Sequence, residues 1–402
     1  MPSVQTIYLD HNATSPLLPE VSAAMAECYA AGYANPASQH QVGRRARQAL
    51  EDAREGIAAI LGADLASAAP DALIFTSGGT EANNLAIFGL AGEQPCRIAI
   101  SAIEHPSVAE PAKELRRRGW QVDVLPVTPE GVLSVGDSLR ESRQLAERVD
   151  HISVMLGNNE TGAIQPIAGL AAICRETGTL LHTDAVQAVG KVPVNFRQLG
   201  VAAMTVAAHK FGGPRGIGAL VLRHGVALRP QLRGGFQQAG LRPGTEDVAL
   251  AVGMHAALRL WQREGPERTR RLTELRDRLE RALRLGWPGL VVHAAEAERL
   301  PHTSCVAFPG LNRQALVIAL DLAGVACSTG SACASGSSDP SPTLVAMGCE
   351  KQALEGSIRL SLGVASTAAE IDEASRRILA VCNDLNRQSL AGKFAAQPRP
   401  TG

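Results

Sequence analysis

Short apolar runs alternate with helix-like stretches through the first two-thirds of the chain. ALIFT (72–76) leads through a Gly-Gly turn into TEANNLAIFGLA, and RIAIS (97–101) leads into a helix expected from about Pro106 to Arg118. VDVL, HISVML and TLLHT follow at similar spacing, with helical stretches near 138–148 and 166–177. AAMTVAA (202–208) and IGALVL (217–222) then lie close together. Alternating β and α segments of this length predict an α/β fold with a mostly parallel sheet covered by helices. Ligands in such sheets sit at the carboxyl ends of the strands.

From about Glu246 the pattern turns helical, and RTRRLTELRDRLERALRL reads as a charged, solvent-facing connector helix. Beyond it, TSCVAF and GSIRLSL predict strands of a second, α+β unit. The expected division is a large domain over 15–258 and a small one built from 1–14 and 259–388. The last residues, 389–402, read as a disordered tail.

Composition narrows the functional classes. The 402 residues carry 39 basic and 39 acidic side chains. This balance argues against nucleic acid or an anionic membrane as the main partner. No window is apolar enough for a membrane span, and MPSVQTIYLDH has no signal-peptide pattern. Eight scattered cysteines without a CxxC pair predict a reduced, cytoplasmic protein with neither a disulfide framework nor a metal site. Only five positions are lysine (113, 191, 210, 351 and 393), which shortens the search for any reactive amine.

Three polar clusters fall where strands should end. TSGGTEAN (76–83) runs a strand into two glycines and a helix start, which suits an anion such as phosphate. A tight turn with a threonine cap explains the segment equally well. LLHTDAVQ (180–187) ends a strand in Asp184, with Gln187 three residues on; a helix cap is the competing reading. AAHKFGGPRGIG (207–218) places Lys210 beside His209 at a strand end among glycines. That suits imine chemistry, although a surface lysine in a loop would read the same way. Together an amine, a carboxylate and a helix N-terminus are what pyridoxal 5'-phosphate requires.

The order TSGGTEANN, EHPSV, NNETG, HTDAVQ, AHKFGGPRGIGAL, RPGTED, STGSACASGS and SIRLSLG resembles the cysteine desulfurases of the iron–sulfur-cluster and nitrogen-fixation type. IYLDHNATSP and NPASQH are similar to that family too, and the resemblance covers residues 7 to about 385. It implies the fold-type I architecture of pyridoxal-phosphate enzymes and a homodimer. It implies that Lys210 binds the cofactor covalently, that Asp184 pairs with the ring nitrogen, and that Gln187 reaches the phenolic oxygen. By the same resemblance His105 stacks on the ring and moves protons. Gly79, Thr80 and His209 surround the phosphate, and Thr245 reaches the phosphate in the partner subunit. Asn159 orients substrate and cofactor, and Arg359 clamps the substrate carboxylate.

L-Cysteine would then be the substrate, alanine the product, and Cys333, on a mobile loop over 328–341, the residue that takes the sulfur as a persulfide. A sulfur-acceptor protein is implied in turn, such as a cluster scaffold or a tRNA-thiolation enzyme. Cys327 is the rival thiol, expected half-buried at a strand end. A selenocysteine lyase, an aminotransferase of the same fold and a catalytically idle relative are the alternatives. Two departures stand out. Ala207 replaces the usual phosphate-binding serine, and RGGFQQAGLRPGT differs from the family's HGGGQERGLRxGT at Phe236, Gln238 and Ala239.

Overall fold

The structure, a computed structural model, describes residues 5–134, 139–330 and 339–395. Among the described residues twelve strands run in chain order: β1 (Ile7–Tyr8), β2 (Ala72–Thr76), β3 (Arg97–Ser101), β4 (Gln121–Leu125), β5 (His151–Ser153), β6 (Leu180–Asp184), β7 (Ala203–Ala207), β8 (Gly218–Leu222), β9 (Val291–Val292), β10 (Thr303–Ala307), β11 (Val325–Ala326) and β12 (Ser357–Ser361). Seven form one sheet in the order β2-β8-β7-β6-β5-β3-β4. Only β8 runs against the others, pairing antiparallel with both β7 and β2. Helices over Gly79–Leu90, Pro106–Arg117 and Ile167–Thr177 connect the strands. With both faces covered, β7 and β8 are buried at every residue, which is why they read as continuous apolar runs rather than alternating ones.

A second core gathers around the antiparallel set β12-β10-β9 and the parallel pair β1-β11. Leu9, Val306, Phe308, Leu316, Leu360 and Ile378 meet there. Chain from before the large sheet therefore packs with chain from long after it, and Asp10 bridges to Ser361.

The region expected to be a solvent-facing connector is one helix over Val248–Gly286. Asp247 caps it, accepting from the Leu250 N–H at 3.0 Å. Met254 and Leu258 belong to the core of the large sheet, whereas Leu272, Leu275, Leu279 and Leu283 belong to the second core. Those leucines recur at three- and four-residue spacing, so the charged stretch buries a full apolar face, and the solvent-facing reading is corrected. Pro266, with no N–H to donate, lies where the helix changes core. The final helix, Ala368–Ala395, continues past position 389, where the unstructured tail was expected to begin. Among the described residues no helix is long and apolar enough to cross a membrane.

Candidate active site

The carboxyl ends of β2, β3, β5, β6 and β7 open on a cavity of about 800 Å³. Gly79, Thr80, His105, Asn159, Asp184, Gln187, His209, Lys210 and Arg359 all line it. Thr245 is exposed and lies outside that lining. Cys333 lies outside the described residues.

Lys210 ends a single 3₁₀ turn after β7. Its Nζ donates to the carbonyl oxygens of Asn12 at 2.6 Å and Ala13 at 2.9 Å. Both acceptors are uncharged main-chain oxygens, and they orient the amine toward the cavity. Gln187 donates from Nε2 to the same Asn12 oxygen at 3.0 Å, and its buried Oε1 has no partner. An orphaned acceptor beside an amine fits a ligand that brings its own donor.

Asp184, the last residue of β6, is held on both oxygens. Oδ1 accepts from the Val186 N–H at 2.9 Å and Oδ2 from Asn83 Nδ2 at 2.6 Å. Asn83 also donates to Ser107 Oγ at 2.8 Å. Ser107 lies 2.7 Å from His105 Nδ1, which also accepts from the Ser107 N–H at 3.1 Å as the cap of the helix Pro106–Arg117. A ring nitrogen that accepts an N–H carries no proton, so the neutral ring keeps its hydrogen on Nε2. Burial lowers the His105 pKa against the raising effect of Asp184, with Lys210 and Arg359 lowering it further.

The end of the cavity beside Gly79 is built from small walls. The helix Gly79–Leu90 starts there, and a Cβ on Gly79 would come within 3.0 Å of Val186 Cγ2 and 3.5 Å of Ala207 Cβ. Gly218 on β8 lets the turn approach, since a Cβ there would meet the Gly78 backbone at 2.7 Å. His209 contacts Thr14 Oγ1 at 3.2 Å. Its pKa drops to about 4 through burial, reinforced by the charges of Lys210, Lys191 and Arg215.

Arg359, on β12, is almost wholly buried at 1 % exposure. Its Nη1 donates to the carbonyls of Asn159 at 2.9 Å and Gly330 at 2.7 Å, and Nη2 to Asp10 Oδ1 at 2.8 Å; Nε has no partner. Glu104 accepts from Ser101 and from the Met155 N–H at 2.8 Å, and burial pushes its carboxyl up to about 8. Cys327 is part-buried just after β11, and burial pushes its thiol up to about 12. That holds it protonated and a poor nucleophile.

Sequence reasoning gave no role to Asn12, Asp10, Asn83 or Glu104. Asn83 was findable, because it follows Gly79 by four residues and so shares its helical face. The other departure also has a structural role. Gln238 and Ala239 adopt positive φ of 51° and 57°. The Gln238 amide accepts from the Phe75 N–H at 2.6 Å and donates to the Phe75 carbonyl at 2.9 Å. It thereby covers the outer edge of β2, the first strand in the sheet order.

A lysine, a caged carboxylate and a helix N-terminus at the strand ends of a mostly parallel sheet define the fold-type I class of pyridoxal-phosphate enzymes. Residues 7–374 match the Aminotransferase class-V family, and the chain belongs to it. An IscS-like cysteine desulfurase of Mycobacterium tuberculosis is 40% identical over 398 residues, covering 97% of this chain and 100% of that one. The structure of a NifS-like protein from Rickettsia africae matches with a TM-score of 0.84 at 30% identity, over 94% of this chain and all of that one. SspA in complex with cysteine matches with a TM-score of 0.74 at 28% identity, over 90% of this chain and all of that one.

Proposed function

We propose that the chain is a pyridoxal-phosphate-dependent cysteine desulfurase that converts L-cysteine to L-alanine and receives the sulfur on Cys333. The observation that carries this reading is the convergence of Lys210, Asp184, Gln187, His105 and Arg359 on one cavity, in a chain whose relatives are cysteine desulfurases. The residues present fit pyridoxal phosphate. The orphaned Gln187 Oε1, the small-walled helix start at Gly79 and the caged Asp184 each suit a different part of it. When bound, it supplies an electron sink for the substrate α-carbon.

Lys210 would hold the cofactor and carry the α-proton, Asp184 would face the ring nitrogen, and Gln187 the phenolic oxygen. Gly79, Thr80, His209 and the partner subunit's Thr245 would hold the phosphate of a homodimer. Arg359 and Asn159 would place the substrate. Neutral His105, with its hydrogen on Nε2, can give a proton and recover it. The Cys333 thiolate would attack the substrate sulfur, and the carbon–sulfur bond would break with its electron pair going to the substrate β-carbon. A proton delivered there would complete alanine's methyl group, and Cys333 would keep the sulfur as –S–SH. An acceptor protein, a cluster scaffold or a tRNA-thiolation enzyme, would then take that sulfur in the cytoplasm. We assign residues 15–258 to the large domain and 1–14 with 259–388 to the small one, a division supported by the two cores that the helix Val248–Gly286 joins.

Alanine formation from L-cysteine by the cofactor-loaded protein tests the reading. Lys210→Ala should abolish it, and wild-type protein that forms none would reject the assignment.

A further inference from the structure

Lys191 is a buried lysine that the reaction above does not use. It follows the turn after β6, only 4 % exposed in a chain that otherwise relies on arginine. Lysine is seldom buried without a partner of opposite charge. Yet Lys191 Nζ donates to the main-chain carbonyl of Lys210 at 2.5 Å, and no carboxylate acts on it among the described residues. Ser15 Oγ donates to the same carbonyl at 3.1 Å.

The surroundings hold this arrangement from two sides. Gly190, at φ 75°, packs so tightly that a Cβ would come within 2.3 Å of Phe211 Cβ, the residue after Lys210. Thr269 Oγ1, from the long helix, donates to the Lys191 carbonyl at 3.0 Å. The titratable groups around Lys191 are Lys210 on the turn after β7, His11 after β1, His209 beside Lys210 and His302 before β10. All are basic, so among the described residues none of these groups cancels its charge.

We propose that Lys191 is a positioning residue for Lys210, fixing the backbone from which that side chain springs and setting the charge on its amine. The inference rests on Lys210 being the lysine that binds the cofactor. A cation nearby disfavours protonation at the Lys210 nitrogen, so Lys191 keeps the linkage to the cofactor less protonated than it would otherwise be. Burial and the neighbouring Lys210 bring Lys191 itself down to about 7, so it can shed that charge in the physiological range. Arginine at this position could not do so.

The test is a pH titration of the visible absorption of the cofactor-loaded protein. Lys191→Met should move the midpoint up by roughly one unit or more, as expected for removing a nearby like charge. Lys191→Arg should leave the midpoint at or below that of wild type. If Lys191→Met does not accumulate as folded protein, Lys191→Gln carries the same expectation, since it removes the charge and keeps a donor. An uncharged variant whose midpoint coincides with wild type would overturn the proposal. Lys210→Ala separates the two readings: if it retained the wild-type absorption and titration, the cofactor-binding role of Lys210 would fall instead.

Discussion

Arg359 donates from Nη2 to Asp10 Oδ1 at 2.8 Å, so the guanidinium proposed for the substrate carboxylate already holds a carboxylate of the chain itself. Only Nε is unspoken for. A substrate carboxylate binding side-on through Nε and Nη2 would have to share or displace Asp10. Asp10→Asn should therefore tighten binding of the product L-alanine, read by spectroscopic titration. It should also cost about 1–3 kcal/mol of stability by leaving a buried guanidinium short of a counter-ion. Arg359→Lys should raise KM for L-cysteine at least about tenfold through loss of bidentate geometry. Unchanged affinities in both variants would remove Arg359 from the substrate site.

Ala207 lines the cavity next to Gly79, where the family pattern has a serine. Ala207→Ser should supply one more hydrogen bond to the cofactor phosphate, worth about 1 kcal/mol, or roughly fivefold in retention. Equilibrium dialysis of both proteins against pyridoxal phosphate reads this directly, and equal affinity would show that the phosphate does not need that donor.

Several histidines are buried in their neutral form. Burial lowers His151 to about 4 and His182 to about 3, and it holds His302 well below its ordinary value of 6.5. Below pH 6.5 the unfolded chain binds protons that the folded chain refuses, so stability falls as the pH falls. Each such histidine contributes a slope of about 1.4 kcal/mol per pH unit across this window. Above 6.5 both states are neutral there, and the term vanishes. Urea melts between pH 7.5 and 4.5 should show a midpoint that declines below 6.5; a flat midpoint would contradict the burial of these rings as neutral groups.

Phe236, at 94 % exposure, replaces a glycine of the family pattern, on the same loop as Thr245. A second copy covering that ring would gain about 1.5–3 kcal/mol. Phe236→Ser should weaken self-association by roughly tenfold or more in sedimentation equilibrium. A dimer constant that does not move would place the interface elsewhere.

The alternation of apolar runs made most of the large sheet legible, because strands buried on both faces leave uninterrupted signals such as AMTVA. Residues at strand ends, Asp184 and Lys210 among them, could be placed from those runs. Contacts that join distant parts of the chain could not. Asn12 meets Lys210 across 198 positions and Asp10 meets Arg359 across 349, and no local pattern encodes either pairing. The long helix misled for another reason. Its arginines and glutamates outnumber the leucines that point inward, and buried Arg276 and Glu280 sit on the same helix. Glu280 is satisfied there by Arg299 at 2.8 Å and Ser304 at 2.8 Å, partners that lie beyond the helix in sequence.

The account stands or falls on where the sulfur goes. The cofactor-loaded protein should be exposed briefly to L-cysteine without reductant, and the peptide carrying Cys327 and Cys333 then weighed and fragmented, with alanine measured alongside. One added sulfur on Cys333 and an equal amount of alanine is the predicted result. Sulfur on Cys327, or alanine without any persulfide, would contradict it.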